Sequence, residues 1–119
     1  MLFRSPEPNG PPEVLEGYYG SREKTLETIP IELLKRAPLE LIDSLPEWFI
    51  LASEREPPDV RATNDEFVEI LEKRLGKKVK YQFMKGHNHI SPHWALLSGE
   101  GEEWGEWVAE WVKEKSAAL

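Results

Sequence analysis

Val79-Lys80-Tyr81-Gln82-Phe83 alternates apolar and polar side chains and, after Met84-Lys85, gives way to Gly86-His87-Asn88-His89-Ile90-Ser91-Pro92-His93. Strict alternation is the pattern of a strand with one polar face, and a glycine among closely spaced histidines marks the exit from it. Upstream, Trp48-Phe49-Ile50-Leu51-Ala52 is continuously apolar, as a parallel strand covered on both faces must be. Between the two runs, Val60, Phe67, Val68, Leu71 and Leu75 fall on one helical stripe that Gly76 stops. Strand, helix, strand is a crossover unit with parallel neighbours, right-handed by the general rule. The fold class is therefore α/β, with a short parallel sheet of strands over about 47–53 and 78–83 and a crossover helix over about 59–75. Thr63-Asn64-Asp65-Glu66 has the spacing of a capping box, which allows a later start for that helix.

Outward from this unit the chain reads as helices punctuated by proline. Residues 1–13 carry Pro6, Pro8, Pro11 and Pro12 with Asn9-Gly10 and read as an extended lead-in, leaving 14–119 as a single domain. Ser21 is placed to cap a helix that Pro30 interrupts, Ile31–Arg36 resumes it, and Pro38 opens a further turn through Ile42. At the other end Trp104, Trp107, Val108, Trp111 and Val112 form the stripe of an amphipathic helix over about 102–115. Two parallel strands cannot cover so many apolar stripes and leave both edges open. Either further strands exist, with Val14–Tyr19 as the candidate, or the sheet is completed by association.

Bulk composition narrows the function classes. A formal charge of −7 argues against nucleic acid and anionic membranes as partners, which would need a basic face. The chain has no cysteine, hence no disulfide, no thiolate nucleophile and no thiolate metal site. It shows neither a signal-peptide core nor a run of membrane-spanning length, so a cytoplasmic protein is the expectation.

The stretch from about Tyr18 to Val112 resembles the C-terminal half of α/β-hydrolase-fold esterases, closest to the carboxylesterase and kynurenine-formamidase-like group. The resemblance rests on Leu51-Ala52-Ser53-Glu54-Arg55-Glu56-Pro57-Pro58-Asp59-Val60, which looks like the acid turn, and on Gly86–Ser91, which looks like the histidine loop. It implies His89 as the general base and Glu56 as the acid that orients it, with Glu54 and Asp59 as alternatives for the acid. The implied ancestral chemistry is carboxylic-ester hydrolysis. The family's acid is usually aspartate, and its Gly-x-Ser-x-Gly nucleophile elbow is missing: none of the seven serines lies between glycines at that spacing. The resemblance thus implies a triad arm without its serine, a truncated relative of these enzymes.

Each side chain in the histidine segment has a competing reading. Ser91 followed by Pro92 looks like a helix cap rather than a nucleophile. His87, His89 and His93 with a carboxylate would number four metal ligands, but their spacing is not that of the familiar dizinc motif; no metal or cofactor is called for. The tryptophan stripe reads as core-facing. The expected partners are a second copy of the chain or a completing protein, with a small acyl ester as substrate if activity survives. A non-catalytic, self-associating module is the alternative.

Overall fold

The computed structural model describes residues 11–119, so the proline-rich segment 1–10 lies outside the described residues. Seven helices and two strands follow in the order α1 (Pro12–Tyr19), α2 (Arg22–Thr28), α3 (Pro30–Arg36), α4 (Leu39–Asp43), β1 (Phe49–Arg55), α5 (Pro58–Leu75), β2 (Lys80–Asn88), α6 (Ser91–Ala95) and α7 (Glu103–Ala117). The chain is a mixed α/β protein whose strands pair in parallel. It divides into two compact units, where the sequence reading takes 14–119 as one domain. One holds the described residues up to Glu47 with Pro58–Val79; the other holds Trp48–Pro57 with Lys80–Leu119.

The first unit is helical, and its boundaries follow local chemistry. Pro12 opens α1 at a position where its missing N–H costs nothing. That helix occupies Val14–Tyr19, so the expected further strand there does not exist; the segment lacks strand alternation and ends at Gly20, whose φ of +104° stops the helix. Ser21 caps α2 as expected, its Oγ accepting from the Lys24 N–H at 3.0 Å. Ile29 and Pro30 then break the chain into α3. In α5 the start is Pro58, not the Thr63 box. Thr63 lies inside the helix and its hydroxyl donates back to the Asp59 carbonyl at 2.9 Å, a helix-interior bond rather than a cap.

Thr25, Leu34, Ile42, Val68, Ile70 and Leu71 are buried in this unit. Arg74, in the last turn of α5, reaches the end of α3 and donates to the carbonyls of Leu34 (3.4 Å), Lys35 (2.6 Å) and Ala37 (2.5 Å). Those carbonyls belong to the helix end that has no intrahelical donors left, and the guanidinium also favours the negative pole of α3.

In the second unit β1 and β2 pair from Phe49↔Lys80 to Ser53↔Met84, and then the register jumps to Arg55↔Asn88. The strand expected to end near Phe83 continues through Asn88, because a bulge at Lys85–His87 absorbs the break in sequence pattern. Gly86 sits in that bulge with φ +78°, a conformation that favours glycine. Its N–H donates to Glu54 Oε1 at 3.4 Å. Adjacent Ala52 and Ser53 point to opposite faces of the sheet and are both buried, so at that point β1 is covered on both sides, as its sequence requires.

The Phe49 ring carries Lys80 Nζ on one face, 4.4 Å from its centroid, and meets Trp111 of α7 edge-on at 5.7 Å. The tryptophan stripe of α7 is therefore partly packed, but no residue of this helix is buried.

Replacing Arg74 by methionine keeps most of the aliphatic packing and removes every donor. Arg74→Met is expected to cost about 1–3 kcal/mol of stability, read from the midpoint of urea unfolding. An unchanged midpoint would mean that solvent serves the carbonyls of α3 equally well.

Candidate functional site

Glu56 and His89 immediately follow the last pair of the sheet, Arg55↔Asn88. On parallel strands the residues after a registered pair remain neighbours, and here the imidazole Nδ1 of His89 lies 2.8 Å from Glu56 Oε2. The other carboxylate oxygen accepts from the Ser53 N–H at 3.3 Å. Pro57 restricts Glu56 to an extended backbone, and the carboxylate turns back over the end of β1. The Glu56 side chain is only 7% exposed and that of His89 is 65% exposed. The pair is thus anchored on the acid side and open on the imidazole side. A carboxylate only accepts, so Nδ1 carries a proton, and in the neutral ring Nε2 keeps its lone pair. Among the described residues Nε2 has no hydrogen-bond partner.

Of the three carboxylates that sequence offers for the acid, Glu56 makes this contact. Glu54 is occupied with the Gly86 N–H. Asp59 stands in the first turn of α5.

Asn88 sets the direction in which His89 leaves the sheet. Its Oδ1 accepts from the N–H groups of both Ile90 and Ser91 at 2.9 Å, closing an Asx turn around His89. This corrects the expected role of Ser91. The serine is the first residue of α6, preceded by Ile90 with no side-chain cap, and Asn88 supplies the cap instead. An asparagine three residues ahead of a helix start was the signal available in sequence.

Freed from capping, the Ser91 hydroxyl lies 2.8 Å from His87 Nδ1 and accepts from the Asn88 N–H at 3.0 Å. His87 is buried, and its Nε2 lies 2.5 Å from the Gly101 carbonyl. A carbonyl only accepts, so Nε2 carries the proton, Nδ1 is the acceptor in the neutral ring, and Ser91 donates to it. The two histidines therefore hold opposite tautomers. His87 also forms part of the wall of a cleft of about 170 Å³, with Lys85, Glu103, Trp104 and Trp107 among its neighbours.

His93 is exposed and stands apart from these contacts. Among the described residues no three histidine, aspartate or glutamate side chains come together as a metal-binding group, so the four-ligand arrangement is not formed. No described helix is long and apolar enough to cross a membrane. Compared with known proteins, the chain matches no family model, no curated protein and no solved structure.

The tautomers can be read directly by nitrogen-15 spectroscopy with both rings neutral. His89 is expected in the Nδ1–H form and His87 in the Nε2–H form. Glu56→Ala should return His89 to the mixture of a free imidazole and leave His87 unchanged. The same tautomer at both rings would contradict the geometry.

Proposed function

We propose that this chain presents the acid and base of an α/β-hydrolase-like esterase triad, with carboxylic-ester hydrolysis as its ancestral chemistry. One observation carries the reading: a largely buried carboxylate holds Nδ1 of an exposed histidine at 2.8 Å. In a triad the acid holds the imidazole in the tautomer that accepts a serine proton at Nε2 and steadies the imidazolium that results. Glu56 meets that requirement at His89. Both residues also follow the carboxyl ends of parallel strands, where open α/β sheets hold their sites. The serine elbow that would complete the triad is not recognisable in the sequence, so the nucleophile for turnover comes from another polypeptide or another part of the same protein.

Steady-state hydrolysis of an aryl acetate tests this reading. The pure chain is expected to turn over no faster than its His89→Ala variant. Turnover that His89→Ala abolishes would show a complete catalytic set within the chain and overturn the reading.

The alternative, a non-catalytic module that associates with itself, is favoured by a different observation. Among the described residues the sheet has only two strands, and α7 buries none of its residues although it carries three tryptophans. Ile90, Trp94, Leu96 and Leu97 are also exposed on the segment that follows His89. Such apolar surface favours a protein neighbour. Sedimentation at micromolar concentration is expected to show a homo-oligomer whose tryptophan fluorescence shifts to the red on dilution. A folded monomer under those conditions removes this second reading.

A further inference from the structure

Ser91 and His87 form a pairing that the Glu56–His89 reading does not use. The Ser91 hydroxyl donates to His87 Nδ1 at 2.8 Å, and the opposite ring nitrogen donates to the Gly101 carbonyl at 2.5 Å. This is the relation of nucleophile, base and orienting acceptor found in hydrolytic triads. The ring nitrogens exchange roles here, and a backbone carbonyl stands in for the carboxylate. The orienting contact is built closely. Gly101 has φ +66°, and a Cβ there would lie 3.3 Å from both Cε1 and Nε2 of His87, so a side chain would crowd the ring. His87 is buried, which limits its motion, while Ser91 is only half-buried and remains within reach.

We propose that Ser91 is a covalent acyl-acceptor site, activated by His87, that takes one acyl group from an activated ester. Ser91 Oγ attacks the carbonyl carbon as its proton passes to His87 Nδ1. The bond from that carbon to the leaving aryloxide then breaks, and the proton on Nδ1 neutralises the aryloxide. The products are an ester on Ser91 and a free phenol, with the ring back in its Nε2–H form. The Gly101 carbonyl holds Nε2–H throughout.

The surroundings define the donor. The N–H groups of Ile90 and Ser91 are engaged by Asn88 Oδ1, and that of Asn88 by Ser91 Oγ. This leaves none of the three free to stabilise an oxyanion, a contribution that matters greatly in acyl transfer. Only donors with good leaving groups, such as aryl esters, react under that restriction. The alkyl ester formed on Ser91 is not activated in this way, so the adduct persists rather than turning over. The cleft that His87 helps to wall is also lined by Trp104 and Trp107, which offer aromatic surface to an aryl group beside the base.

The test is treatment of the full chain with 4-nitrophenyl acetate, with site-resolved mass spectrometry of the product. One acetyl group on Ser91 is expected, formed in a burst of nitrophenolate no larger than one equivalent. Ser91→Ala should remove both burst and adduct. His87→Gln should slow acetylation roughly a hundredfold or more, and His93→Ala, at an exposed residue apart from both pairs, should leave it unchanged. Because His87 is buried, the His89 tautomer signal serves as the check that His87→Gln is folded. Acetylation of lysines without Ser91 in the unmodified chain, or an equal rate in folded His87→Gln, overturns the proposal. Failure here leaves the steady-state comparison with His89→Ala untouched, and a positive result there does not create an adduct on Ser91.

Discussion

The arrangement of the histidine segment depends on the change of register between β1 and β2. From Phe49↔Lys80 to Ser53↔Met84 the partners are 31 residues apart, and at Arg55↔Asn88 they are 33 apart. Had the first spacing continued, His87 would stand opposite Glu56. The bulge shifts that position to His89, and it is His89 that the carboxylate holds. Gly86 is what the bulge needs, because its φ of +78° is costly for any residue with a Cβ. No atom crowds the position where that Cβ would be, so the requirement is one of backbone conformation and not of space. A single glycine thereby selects which of two histidines meets the acid.

The selection gives the two rings different chemistry. His89 keeps its basic nitrogen at Nε2, in an exposed side chain braced from behind by a largely buried acid. His87 keeps its basic nitrogen at Nδ1, turned toward the hydroxyl of Ser91, and its other nitrogen is committed to Gly101. Asn88 stands between them, and through its side chain it fixes both the turn that carries His89 and the start of the helix that carries Ser91. The Asn88 N–H adds a bond to the serine oxygen. One asparagine thus couples the orientation of both pairs.

Much of this architecture was legible from sequence because it is written in local terms. Proline at positions 30, 38 and 58 sets helix starts by steric rules that hold in any surroundings, and Ser21 caps a helix through a bond three residues long. The apolar run in β1, the stripe in α5 and the strand–helix–strand order are also periodic signals. Glu56 and His89 were named through resemblance, and the geometry brings those two together. What escaped the pattern was non-local or conformational. Alternation stops at Phe83, yet pairing with β1 carries the strand on through Gly86 to Asn88. Ser91 looks like a cap by composition, but Asn88 reaches the helix start first and leaves the hydroxyl to His87. Gly101 belongs to the site only because the chain after α6 folds back on His87, a contact fourteen residues apart that neither helix nor strand periodicity signals.

The position of the Glu56–His89 pair bears on what completes it. The pair is carried by the two strands of a small parallel sheet, a class of sheet that normally needs more strands and cover on both faces. Backbone groups along an open edge and half-buried tryptophans on α7 both gain from a neighbour. A neighbour that adds a parallel strand to the sheet would also bring that strand's carboxyl end to the end where Glu56 and His89 emerge. In open α/β sheets that is the end at which functional loops gather. Under the proposed triad reading, such a neighbour would also be placed to supply the group that Nε2 of His89 deprotonates. The two proposed readings, association and catalysis, are compatible: the exposed apolar side chains of Ile90 and Trp94 follow His89 closely in the chain.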